Sequence, residues 1–64
     1  MAYKILEKRE EVGMTQVELS EKSGVSRTII SGLETGAIKN TTADTLLRIA
    51  KALGTTVNEI FFTD

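Results

Sequence analysis

Between Ile30 and Leu33 on one side and Arg27, Thr28, Ser31 and Thr35 on the other, one short stretch divides into an apolar face and a hydrogen-bonding face. A guanidinium and three hydroxyls differ in what they donate and accept. The chemistry they offer is recognition of a patterned polar surface. Catalysis lacks its parts: the chain has no histidine and no cysteine, no Gly-rich phosphate loop and no nucleophile–base constellation. The same two absences remove a disulfide framework and the commonest metal ligands. The expectation is a protein that is not an enzyme, with no catalytic residue, no metal and no cofactor.

Those side chains need a helix fixed at an angle to a neighbour, and the flanking residues predict one. Thr15 can cap a preceding helix, with Glu18 three residues on to complete a capping box. Gly24 can supply the positive φ that ends that helix. Val25 is an apolar plug in the turn, and Ser26 can cap the second helix. Two short helices joined this tightly, over about residues 15–35, make a helix-turn-helix, whose second helix can lie in the major groove of DNA.

Periodicity and punctuation extend the reading to a compact all-α bundle of five short helices, a single domain over residues 1–64. The first helix is expected from about Ala2 to Val12, with Tyr3, Leu6 and secondarily Ile5 inward, stopping at Gly13. The second runs from Gln16 to Ser23 and the third from Arg27 to Thr35, which Gly36 stops. After an irregular connection over Ala37–Thr41, the fourth starts near Thr42 and continues to Leu53. Its apolar stripe is Leu46, Leu47, Ile49, Ala50 and Leu53, and Asp44 sits favourably in its first turn. Thr56 and Glu59 form a second capping box, opening a short last helix that holds Val57, Ile60 and Phe61, with Ile60 and Phe61 closing the core. With no proline in the chain, every helix stop must come from glycine or a polar cap.

Nothing at the N-terminus reads as a signal peptide and no apolar run approaches the ~20 residues of a membrane span. A soluble, cytoplasmic, nucleoid-associated protein is expected, with no membrane partner. The net charge of −1 argues against an indiscriminate polyanion binder. Its distribution matters more: Glu7, Glu10, Glu11, Glu18, Glu21 and Glu59 fall mostly outside the polar face, whereas Arg27 and Lys39 fall on or beside it.

Several short motifs then occur in order and at matching spacing: Arg9–Gln16, Leu19, Gly24–Ser26, Ile30–Gly36, Asp44–Gly54 and Glu59–Phe61. In these the chain resembles the lambda-repressor-like helix-turn-helix domains of Xre type, over about Ile5 to Phe61. The resemblance implies a five-helix lambda-repressor-like fold, sequence-specific binding of double-stranded operator DNA, and usually a homodimer. It places Ser26, Arg27, Thr28 and Ser31 toward the groove. Arg27 matches guanine O6 and N7 with its fork, or else clamps a phosphate without reading sequence. Thr28 and Ser31 can donate or accept, and the Thr28 methyl can pack on thymine. Gln16 touches a phosphate and buttresses a base-reading side chain, or is a plain first-turn residue. Lys39 and Asn40 meet phosphate. Many relatives follow this asparagine with proline; here Thr41 and Thr42 can both serve as caps.

Gly32 departs from the pattern, since similar domains often carry a longer polar side chain there. It either lets the helix backbone approach the duplex or leaves one reading position blank. Arg9 and Glu34 match a largely buried ion pair that ties the first helix to the third. Phe62 either lines a dimer interface with exposed residues of the fourth helix or is a solitary exposed aromatic. The reading that results is a transcriptional regulator, a repressor more often than an activator, on a palindromic operator, with no small-molecule ligand. The alternative is a protein-interaction module, such as an antitoxin or regulatory subunit, with DNA binding secondary. The acidic balance and Gly32 favour that alternative; the polar groups at Arg27, Thr28, Ser31 and Lys39 favour DNA.

Overall fold

A computed structural model describes residues 3–61 and has five helices in chain order: α1 (Ile5–Glu11), α2 (Gln16–Ser23), α3 (Arg27–Thr35), α4 (Ala43–Leu53) and α5 (Val57–Ile60). Four of them start at a hydroxyl side chain that accepts from the third backbone N–H of the helix: Thr15, Ser26, Thr42 and Thr56. Each such cap is worth ~1 kcal/mol, a large help to helices this short. Thr15 and Glu18 close a full capping box, with Glu18 N donating to Thr15 Oγ1 at 3.1 Å and Thr15 N to Glu18 Oε1 at 2.8 Å. Of the two threonines before α4, Thr42 caps the helix and Thr41 does not.

The turn between α2 and α3 is fixed from both sides. Gly24 adopts φ 74°, a conformation that a side chain would strain, while the buried Ser23 accepts from Val25 N through Oγ at 3.1 Å. Val25 then enters a core made by every helix: Ile5, Leu19, Ile30, Leu33, Leu46, Ile49, Ala50, Leu53 and Ile60. α4 lies against α2 as the main internal contact, and α1 braces both α3 and α4. α3 thus packs on the core through its apolar side, with Arg27, Thr28 and Ser31 left on the other.

Five expectations need correction. α1 begins at Ile5, with Tyr3 and Lys4 outside it and Lys4 N donating to the Ile60 carbonyl (2.9 Å) at the end of α5, whereas Ala2, the expected start, lies outside the described residues. In the same helix Ile5 is fully buried and Leu6 is 40% exposed, the reverse of the expected order. Leu47 likewise leaves the α4 stripe, at 46% exposed. Phe61 lies past the end of α5 in extended backbone, 43% exposed, with its ring centroid 5.8 Å from that of Tyr3. Finally, Thr56 caps α5 without the reciprocal half of a box, because the Glu59 carboxylate instead meets Lys8 Nζ at 3.4 Å. Phe62 lies outside the described residues. Among the described residues there is no strand, and no helix is long and apolar enough to cross a membrane.

Candidate nucleic-acid interface

The open side of α3 is anchored by one carboxylate. Glu34, near the C-terminal end of the helix, receives Arg9 Nε on Oε2 at 2.8 Å and Arg9 Nη2 on Oε1 at 3.1 Å. The Gln16 side-chain nitrogen donates to the same Oε1 at 2.9 Å. Arg9 Nη1 completes the set on the Met14 carbonyl at 3.0 Å. The side chains of Arg9 and Glu34 are only 14% and 5% exposed. The hydrogen bonds to Glu34 hold the guanidinium pKa above its ordinary value against the opposing effect of burial. One carboxylate therefore fixes α1, the α1–α2 turn and the start of α2 to α3. Gln16 belongs to this network and keeps its second amide hydrogen for another acceptor.

Beyond that anchor, Gln16, Arg27, Thr28 and Ser31 line one shallow cleft. Arg27 is exposed and makes no ion pair among the described residues. Ser26 is exposed, but its Oγ is already accepting from Ile29 N at 3.3 Å. Thr35 is also engaged internally: its hydroxyl donates to the Gly32 carbonyl and accepts from Ala37 N, both at 3.4 Å. Lys39 and Asn40 are exposed in the connection after α3. That connection is held from below, because Tyr3 Oη donates to the Lys39 carbonyl at 3.0 Å.

Two features escaped the sequence reading. The first is the environment of Gly32. A Cβ at this position would lie 2.5 Å from Ile38 Cδ1 and 2.6 Å from Ile38 Cγ1. The direction a side chain at position 32 would take is already filled. No local signal could have shown this, since Ile38 lies in an irregular segment six residues on. The second is Glu10. It borders a depression shared with Arg9, Gln16 and Arg27, and so puts a carboxylate at the rim of the cationic surface. Among the described residues no group of three or more carboxylates could hold a metal ion.

The order of parts, from a capped α2 through a glycine turn to a capped and open-faced α3, recurs in known proteins. A family model described as helix-turn-helix matches residues 5–60, which is nearly the whole chain. No curated protein matches it.

Proposed function

The chain belongs to the Xre-type, lambda-repressor-like helix-turn-helix family of DNA-binding transcription regulators, and from that premise we propose that it is a repressor reading a palindromic operator with α3 in the major groove. The observation that carries this reading is the convergence of Gln16, Arg27, Thr28 and Ser31 on one cleft, with Arg27 in no ion pair among the described residues. A free guanidinium keeps its fork for guanine O6 and N7. Thr28 and Ser31 read neighbouring base edges. Ser26, Lys39, Asn40 and the remaining amide hydrogen of Gln16 hold the phosphates on either side and set the register.

The regulator acts as a homodimer in the cytoplasm, associated with the nucleoid and needing no small-molecule ligand. One copy measures 25 × 20 × 20 Å. Two copies side by side suit reading helices about 34 Å apart, the spacing of successive major grooves. A second reading, a protein-interaction module with DNA binding secondary, has its own support: Leu6, Leu47 and Phe61 are large apolar side chains left exposed.

Fluorescence anisotropy tests the first reading, using duplex DNA flanking the protein's own gene and a scrambled duplex at two salt concentrations. Specific binding that Arg27→Ala abolishes supports it. Equal binding to both duplexes, with a monomer in sedimentation, would transfer the weight to the second.

A further inference from the structure

Thr28, Ser31, Gly32 and Thr35 recur at helical spacing along the face of α3 opposite the buried Ile30 and Leu33. Gly32 lies at the edge of that face toward Ile29, one turn from both Thr28 and Thr35, and it has no side chain to present. The space is not vacant. Ile38 lies over the glycine so closely that a Cβ at position 32 would meet three of its side-chain atoms, at 2.5, 2.6 and 3.3 Å. The backbone holds it there: Ile38 N donates to the Gly32 carbonyl at 2.9 Å, and Gly36 N donates to the same oxygen at 3.1 Å. Ile38 is half-buried, resting on the core on one side and open on the other.

We propose that Ile38 is a specificity-determining residue, supplying from the loop the contact that α3 lacks at Gly32. This rests on the reading of α3 as the groove-facing helix. A branched aliphatic side chain offers no hydrogen bond to a base edge, so its contribution is apolar. The one apolar group that a base pair presents in the major groove is the thymine 5-methyl. Ile38 therefore selects thymine at one position in each half-site, next to the base read by Thr28. Because β-branched Ile38 is pinned at its own backbone and wedged against a glycine, little side-chain freedom is left to lose on binding.

The test begins by enriching random-sequence duplex DNA on the wild-type protein. Each favoured thymine is then replaced in turn by deoxyuridine, which removes only the methyl. At one position per half-site the wild type should lose affinity about fourfold, the worth of one buried methyl-sized group. Ile38→Ala should bind the thymine and uracil duplexes equally at that position, and Thr28→Ser should keep the preference. Equal wild-type affinity for both bases at every position overturns the proposal, and it needs no variant that could misfold. A thymine preference that survives in Ile38→Ala but vanishes in Thr28→Ser also overturns it, since Thr28 is then the reader. Failure to enrich any sequence rejects the groove-facing reading of α3 and Ile38 with it.

Discussion

Arg9 and Glu34, 25 residues apart in the chain, meet as a two-pronged pair at 2.8 and 3.1 Å, with the carboxylate almost wholly withdrawn from solvent. Gln16 leans on the same carboxylate. If α3 reads DNA as proposed, stability and recognition divide between two neighbouring sites: Glu34 holds α3 in place, and Arg27, seven residues earlier, is exposed on it.

Removing the carboxylate leaves a guanidinium short of its partner in a largely buried site, which costs about 3 kcal/mol. Glu34→Ala should lower Tm by more than ~10 °C in a chain of this size. Arg27→Ala removes an exposed side chain with no ion pair among the described residues and should stay within ~0.5 kcal/mol of the wild type, while weakening operator binding roughly ten- to hundredfold. Thermal melts and anisotropy on both variants check the division. Equal melting losses would refute it.

Gly32→Ala tests how the loop rests on α3. Replacing an interior helical glycine by alanine ordinarily stabilises by ~1 kcal/mol. Here the new methyl collides with Ile38, and overpacking of this kind costs about 1–3 kcal/mol. Gly32→Ala should therefore be destabilising in the wild type and stabilising in an Ile38→Ala background. Urea melts of the four proteins give the coupling directly; the same sign in both backgrounds would show that Ile38 yields freely.

The helix boundaries were legible where local chemistry decides them. Thr15 with Glu18, Ser26, Thr42 and Gly24 all act within three or four residues of themselves, and α2 and α3 lie where these residues predict. The misreadings came from choices made at long range. Whether Ile5 or Leu6 turns inward depends on how α1 sits against α3 and α4, because adjacent apolar residues fit the helical period equally well. Glu59 had two suitors, its own helix start and Lys8, and the more distant one holds it. Gly32 was visible as an anomaly, yet its cause lay in a loop with no periodic pattern. Of the candidate site, the polar face of α3 could be read from the sequence, whereas Glu10 on its rim could not.

The capping box makes the start of α2 sensitive to acid. The Thr15 backbone N–H donates to Glu18 and holds its pKa below the ordinary 4.5. A group with a depressed folded-state pKa adds stability that is present above its unfolded value and is lost as pH falls through the folded one. Melts from neutral pH down to about pH 2 should show wild-type stability falling through that window. Glu18→Ala should be less stable at neutral pH and converge with the wild type at the acid end. Parallel curves would mean that Glu18 contributes no pH-dependent stability.

Glu10 should set a limit on DNA affinity. It shares a depression with Arg9, Gln16 and Arg27, so a phosphate approaching Arg27 there also approaches a carboxylate. Exposed like charges repel weakly, and salt screens them over about 10 Å at 0.1 M. The effect should therefore be largest at low salt. Glu10→Gln removes the repulsion and should tighten binding to operator and scrambled duplex alike, since phosphates carry no sequence. Glu10→Lys adds a cation and should steepen the dependence of log affinity on log salt by about one, the signature of one more neutralised phosphate. Thermal melts should barely change, because Glu10 is exposed and forms no ion pair among the described residues. An unchanged salt slope in Glu10→Lys, with Arg27→Ala still damaging binding, would place the DNA backbone away from the N-terminal end of α2 and confine the contact to α3 and the loop that follows it.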